Sequence, residues 1–343
     1  MRLNRPRLLI TGLGAVGRGF LGLLDSQREL LQARGIAPRV VGAADSKGVV
    51  YDEAGLDPAA LMRHKEAGRS LAAHPASRPW STAEWMARAE ADVLLECTPT
   101  SLGDGEPGLS LVRAALRKGL HAILASKGPL VLAFPELAGL SDRADPSFPR
   151  LRFSAATCGA MPTVSLGHRD LAGGRILGLE AVLNCTTQVI LRRMAEGRSY
   201  AESLAEAQAL GVAETDPTLD VAGWDTASKL VILANAVLGQ PTRLADLRPR
   251  GITDLTPEEL RIREGGGGRM ALLARAEAHG AGYALSVRPE VLPPEHPFAR
   301  LEVDEMAILY RTDIFGRVLL TSAGQGALGA SAALLKDLIE ISG

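Results

Sequence analysis

Arg7-Leu8-Leu9-Ile10-Thr11 runs directly into Gly12-Leu13-Gly14-Ala15-Val16-Gly17, and apolar residues then recur at Phe20, Leu21, Leu23 and Leu24. A short apolar run, a GxGxxG loop and a helical apolar pattern read as strand, tight turn and helix. In that arrangement Gly12 permits the turn, Gly14 lets the backbone approach a pyrophosphate, and Gly17 lets helix and strand pack closely. Ala15 and Val16 complete the loop, with the diphosphate expected on the helix N-terminus. A purely structural glycine turn is the plainer alternative; the strand before it and the helix after it weigh against that.

A second strand, Arg39 to Ala44, ends at Asp45, where an acid can hydrogen-bond a ribose 2′-hydroxyl. That favours NAD, since a 2′-phosphate would meet a like charge, although Lys47 can offset it. The interval from Gly17 to Asp45 exceeds the usual ~20 residues, so the first helix is expected to run to about Gly35. A polar, proline-containing excursion (Tyr51 to Pro79) and a helix near Ser81 to Arg88 follow. The strand Asp92 to Cys97 then ends in Thr98-Pro99-Thr100, and after the helix Leu109 to Lys118 the strand His121 to Ala125 ends in Ser126-Lys127-Gly128. Alternating strands and helices imply an α/β, Rossmann-type, doubly wound parallel sheet, whose ligands sit at the carboxyl ends of its strands.

Beyond Asp145 to Pro149 the pattern changes. Leu151 to Ser154 and Leu179 to Asn184 read as strands, with helices after Gln188 and from Tyr200 to Leu210. Strands at Met270 to Arg275, Tyr283 to Val291, Met306 to Thr312 and Arg317 to Thr321 predict a mixed or antiparallel sheet, hence an α+β second domain. The end, Gly324-Gln325-Gly326-Ala327-Leu328-Gly329 into a helix from Ala330 to Ile341, is a second glycine loop at a helix start.

Chemistry concentrates between Glu214 and Leu238, where Glu214, Asp216, Asp220 and Asp225 precede Lys229 and an apolar run. Asp225 and Lys229 are four apart and share a helix face. A lysine there can lend a proton or polarise a carbonyl, because burial lowers its pKa; a solvated ion pair of little worth is the plainer reading. Of 38 Lys plus Arg only six are lysine, at positions 47, 65, 118, 127, 229 and 336. Where lysine persists in an apolar context, as at Lys127 and Lys229, a group able to deprotonate is indicated, since arginine stays charged.

Composition narrows the partners. A length of 343 residues suggests two domains. A formal charge of −1 with 22% charged residues of both signs offers neither a nucleic-acid face nor a polybasic membrane patch. No apolar run approaches the roughly 18 residues of a membrane span, and Met1 to Thr11 lacks the pattern of a signal peptide, so a cytoplasmic protein acting on small molecules is expected. Cys97, Cys158 and Cys185 do not form a disulfide framework, and the six histidines have no metal-ligand spacing.

With these pieces in order, the chain resembles homoserine dehydrogenase over essentially its whole length. The resemblance rests on GLGAVG, on ECTPT (96–100), SKG (126–128), AATCGAMPTV (155–164) and VLNCTTQVIL (182–191), and above all on ETDPTLDVAGWDTASKLVIL (214–233). It implies a nucleotide-binding domain (1–145), a substrate and dimerisation domain (146–316), and a C-terminal segment (317–343) returning to the first, assembled as a homodimer. It also implies NAD(P)-dependent interconversion of L-homoserine and L-aspartate 4-semialdehyde in threonine, methionine and isoleucine biosynthesis. Lys229, Asp225 and Lys127 are then the catalytic residues, Lys127 also facing the nicotinamide. Glu214, Asp220 and Thr186 would bind substrate, while Thr98, Pro99 and Gly324 join the glycine loop and Asp45 at the cofactor. The family often has a metal-binding glutamate where this chain has Ser154, which leaves only the backbone of Thr157 and Gly159 for a monovalent cation. Cys185 stands where the family usually has glycine, and no residues follow Gly343 for a regulatory domain, so feedback by threonine through such a module is not expected. Two alternatives stay open: a semialdehyde dehydrogenase using Cys158 as nucleophile, and a non-catalytic NAD-binding sensor, which would need neither lysine.

Overall fold

The glycine-loop stretch forms the strand, turn and helix that its pattern predicts: β1 (Arg7–Thr11) leads into α1 (Ala15–Ser26). The computed structural model describes residues 3–141, 145, 148–324 and 326–343. Gln325 of the second glycine loop, and part of the Asp145 to Pro149 passage where a domain boundary is expected, lie outside these.

The chain divides into two units, Met1–Ala160 with Ala327–Gly343, and Met161–Gly326. In the first, α1 is followed by α2 (Arg28–Ala33), β2 (Arg39–Asp45), β3 (Gly48–Tyr51), α3 (Pro58–Glu66), β4 (Ser77–Arg78), α4 (Thr82–Arg88), β5 (Val93–Glu96), α5 (Gly108–Arg117), β6 (His121–Leu124), α6 (Gly128–Gly139) and β7 (Leu151–Arg152). Its sheet has the order β4-β3-β2-β1-β5-β6-β7. The run from β2 to β7 is parallel, and β3 and β4 add an antiparallel edge. Successive strands are laid down on one side of β1 and then on the other, so the carboxyl ends of β1 and β5 flank the point where strand order reverses, the place for ligands in open α/β sheets.

One local expectation needs correction. The helical path does extend to Ala33, but it breaks at Gln27 (φ −105°, ψ 19°) into α1 and α2. Within the polar excursion lies a helix that the reading did not place: Asp57 caps α3 by accepting from the Ala59 N–H, with Pro58 in the first turn, a start signal that the sequence carries.

The second unit contains α7 (Thr163–Ser165), β8 (Ile176–Val182), α8 (Cys185–Ala195), α9 (Tyr200–Ala209), α10 (Thr218–Val221), α11 (Trp224–Ala236), α12 (Pro257–Glu264), β9 (Arg269–His279), β10 (Gly282–Leu292), β11 (Glu305–Thr312) and β12 (Arg317–Ala323). Its sheet, β10-β9-β8-β11-β12, is antiparallel throughout.

The expected boundaries at 145 and 316 both move. β7 pairs with β6 and stays with the first sheet, while β12 pairs with β11 and belongs to the second. The last helix, α13 (Gly326–Ser342), buries Leu334, Leu335, Leu338 and Ile341 in one cluster with Leu8, Ile10, Phe20, Leu21 and Leu24 of the first unit. It also carries Asp337, fully buried, whose carboxylate accepts from the Ser154 N–H (2.8 Å) and hydroxyl (2.7 Å). Arg152 pairs with Glu340 of the same helix (3.3 Å). These bonds hold the chain just beyond β7 inside the first unit.

Asp337→Ala removes the acceptor of a buried N–H, a loss of about 1–3 kcal/mol. Thermal denaturation is expected to give a midpoint lower by about 2–10 °C for the first unit; an unshifted midpoint would remove Asp337 as its fastener.

Candidate active site

On the first unit, the glycine loop is shaped by backbone contact. Gly12 has φ +79°, and a Cβ there would collide with the Cys97 carbonyl; one on Gly17 would collide with the Gly12 carbonyl. The Gly12 N–H donates to the Ala44 carbonyl (3.0 Å), tying the loop to the end of β2. Gly14 is exposed, and its Cβ direction opens on empty space. A turn closed on its inner side and open at Gly14, leading into α1 at Ala15 and Val16, fits a diphosphate. α13 supports it from behind: the Ser331 hydroxyl bonds the Val16 carbonyl (2.8 Å), over Gly19, where any side chain would strike it.

Next to it, Glu96 ends β5 fully buried. Its carboxylate accepts from the Thr98 N–H (2.8 Å), the Thr98 hydroxyl and the Ser126 hydroxyl. Burial pushes the acid above the ordinary glutamate value, against the pull of the Ser126 and Thr98 donors. The loops holding Thr98 and Lys127 are thus fastened to one carboxyl group, and the Lys127 N–H adds a bond to the Thr100 hydroxyl (3.2 Å). Gly128 lets α6 start against the Ser101 carbonyl. Pro99 is exposed and Lys127 half-buried.

Asp45 sits where the sequence puts it, at the end of β2, but its carboxylate is engaged. Oδ1 accepts from the N–H groups of Lys47 (2.9 Å) and Gly48 (3.0 Å), and Oδ2 from the Lys65 ammonium (2.6 Å) and the Leu71 N–H (2.9 Å). Burial opposes the charge, yet Lys65 and these N–H groups outweigh it and hold the carboxyl below the ordinary aspartate value.

On the second unit, one cluster joins two helix starts. β8 ends at Val182, and Asn184 caps α8 by accepting from the Thr187 N–H (2.9 Å). Its side-chain amide donates to Asp220 (2.7 Å) and to Asp225 (2.9 Å). α11 begins after Gly223, at φ +84°, which sets Asp225 in the first turn and Lys229 one turn on. The Lys229 ammonium lies 2.7 Å from Asp225 and 2.6 Å from the Leu183 carbonyl, with both side chains only 12–13% exposed. Burial, then the charge of Asp225, pushes Asp220 above the ordinary aspartate value, with Asn184, Lys229 and Thr186 acting against that rise. Thr186 also donates to the Val212 carbonyl (3.0 Å).

The structure therefore brings Lys229, Asp225, Asp220 and Thr186 together. Glu214 lies exposed on the preceding loop, its carbonyl held by Gln208 (3.1 Å). The Gly324 N–H donates to the Asp304 carbonyl (2.6 Å), and a Cβ there would touch the Cys185 thiol. Sequence reasoning missed Asn184 and Glu96. Asn184 carried a cap signal, Asn two residues before a Thr-Thr pair opening a helix, whereas nothing local marks Glu96. Cys158 is buried at 5% exposure, which suits a structural thiol better than a nucleophile. The Ser154 hydroxyl is taken by Asp337, with the Lys336 ammonium 3.2 Å from it. Among the described residues no cluster of three His, Cys, Asp or Glu could hold a metal ion.

Residues 162–339 match the homoserine dehydrogenase family model, and residues 1–101 match that of glutamate/leucine/phenylalanine/valine dehydrogenase. The chain is 34% identical to a homoserine dehydrogenase of Methanocaldococcus jannaschii, across 97% of this chain and 98% of that one. It is 32% identical to an NAD(+)-dependent homoserine dehydrogenase of Pseudomonas canavaninivorans, across 99% and 97%. The crystal structure of a homoserine dehydrogenase from Thiobacillus denitrificans superposes with a TM-score of 0.82 at 29% identity, covering 98% of this chain and 73% of that one.

Asn184→Ala takes away a helix cap and two bonds to carboxylates, together about 2–4 kcal/mol. A fall of about 5–15 °C in the midpoint of the second unit is expected by calorimetry; less than a degree would mean that Asn184 does not hold the cluster.

Proposed function

Because the chain belongs to the homoserine dehydrogenase family, we propose that it interconverts L-homoserine and L-aspartate 4-semialdehyde with NAD or NADP, in the synthesis of threonine, methionine and isoleucine. The observation that carries this is the Asp225–Lys229 pair, joined through Asn184 to Asp220. Two carboxylates against one ammonium leave the cluster with a surplus negative charge, which an amino acid's ammonium complements. Asp220, with Glu214 and Thr186 beside it in the sequence motifs, takes the substrate's polar groups.

When bound, the nicotinamide supplies the hydride for the aldehyde carbon and accepts it back in oxidation. Lys229 holds the reacting oxygen: its ammonium stabilises and protonates the alkoxide in reduction, and its amine removes the hydroxyl proton in oxidation. Asp225 orients Lys229 and balances its charge at 2.7 Å. The diphosphate is held by the Gly12 to Gly17 loop, and Thr98, Pro99 and Lys127 line the carboxyl ends of β5 and β6. We place the protein in the cytoplasm; no helix among the described residues is long and apolar enough to cross a membrane. A homodimer is the assembly we propose, supported by β12 at the edge of its sheet, where Leu319 is 45% exposed, and by the exposed Ile314 and Phe315 of the turn before it.

Folded protein supplied with L-homoserine and NAD(P)⁺ should generate the absorbance of the reduced nicotinamide. No signal at any pH from 6 to about 11, a span chosen to include an amine's titration, would sink the proposal. Lys229→Ala and Lys229→Arg should each lower kcat by ~10²–10⁴-fold with nucleotide affinity nearly constant. Arginine keeps the charge but cannot release its proton, so an arginine variant retaining half of wild-type kcat would reduce Lys229 to an ion-pair anchor.

A further inference from the structure

We infer that Glu96 is a positioning residue for the hydride-transfer step: its carboxylate, bonded to the loops after β5 and β6 at once, fixes the place of Lys127. This rests on the dehydrogenase reading proposed above, in which Lys127 serves the reaction.

An ionised carboxylate offers about four lone-pair sites and no donor. Glu96 divides them between two loops. On one side the Thr98 N–H (2.8 Å) and hydroxyl donate to Oε1; on the other the Ser126 hydroxyl donates to Oε2, and the Ser126 N–H adds its own bond. The side chain is fully buried, so a bond lost here strands a donor away from bulk water. α5 closes the group from a third direction: a Cβ on Gly108, its first residue, would stand 3.1 Å from the carboxyl carbon. The start of a helix favours the charged, all-acceptor form.

Lys127 follows Ser126 directly, and its backbone is bonded at both ends. Its N–H donates to the Thr100 hydroxyl (3.2 Å), and its carbonyl accepts from the Leu130 and Val131 N–H groups (3.0 Å each), where α6 begins. Thr100 belongs to the same loop as Thr98. Two bridges therefore join the loops at adjacent residues, at Ser126 through Glu96 and at Lys127 through Thr100. The Glu96 bridge is the buried one, while Lys127 is half-buried at the rim. Glu96 thus acts on the reaction through the loop it holds, where a displacement of about 1 Å in a reacting group can cost ~10²-fold in rate.

Glu96→Gln tests this, because the amide keeps the shape but accepts on one side only and sets an NH2 group against the donors of the other. With L-homoserine and saturating nucleotide, kcat should fall ~10–10²-fold. The deciding measurement repeats the substitution in a Lys127→Ala background. A residue that acts by placing Lys127 has nothing left to place there, so the further change in kcat should be less than about twofold. A residue that only holds the fold lowers kcat by the same factor in both backgrounds, and that result overturns the inference alone, as does an unchanged kcat in Glu96→Gln. Lys127→Ala turning over like wild type would remove Lys127 from the reaction and this inference with it. If Glu96→Gln does not fold, Ser126→Ala, which takes away one donor on the Lys127 side, goes through the same cycle. A fall of at least about threefold is then expected with Lys127 present and less than about twofold without it; equal falls overturn the inference.

Discussion

Backbone passing within contact distance of backbone is the constraint on which the first unit's ligand edge is built. Where β1 ends, Gly12 lies so near the Cys97 carbonyl that no side chain fits, and Gly17 lies equally near Gly12; Gly128 repeats the arrangement against Ser101. These contacts bring the ends of β1, β5 and β6 into one layer and leave the glycine loop open at Gly14, where a Cβ would meet nothing. A single methyl group at any of the three would push a loop away from its neighbour. The loss would fall on the shape of the ligand edge before it fell on the core.

Charge is buried in both units under one rule: an acid taken out of water is surrounded by donors from several segments. Glu96 gathers Thr98 and Ser126, Asp337 gathers Ser154 and Lys336, Asp45 gathers Lys65 and three N–H groups, and Asp220 shares Asn184 with Asp225. Hydrogen bonds and counter-charges oppose the desolvation cost, outweighing it at Asp45 and only in part at Glu96, Asp220 and Asp337, and each cluster thereby fixes loops that have no apolar reason to stay. The difference between structural and reactive clusters lies in the proton. In Asp337 and Glu96 the bonds are closed among partners within the unit; around Lys229 the surplus of carboxylate invites a cation from outside.

How much of this was legible in the sequence depended on range. The glycine loop, the strand alternation and the 214–233 motif are local patterns, and the elements they predict formed within a few residues of their expected ends. Asp45 shows the limit. Its position at the end of β2 could be read directly, but its partners come from Lys65 and Leu71, 20 and 26 residues further on, in the polar excursion where no helix was placed. Ser154 and Asp337 are separated by 183 residues, so neither the first unit's true extent nor the fate of the Ser154 hydroxyl could be inferred locally. Asn184 lay in plain view as a helix cap, and only the folded chain reveals that the same amide holds two acids.

The first unit's dependence on α13 has a consequence for synthesis. A ribosome emits the N-terminal 160 residues of that unit first and must then build the whole of the second unit before Ala327 appears. At about 5–20 residues per second, the nascent glycine loop and its sheet wait roughly 10–30 s without Leu334, Leu338 and Asp337, the residues that close their core. During that interval the apolar face left by Phe20, Leu21 and Leu24 stands open, an exposed surface that holding chaperones recognise. The second unit, continuous in the chain, is complete before the first can close.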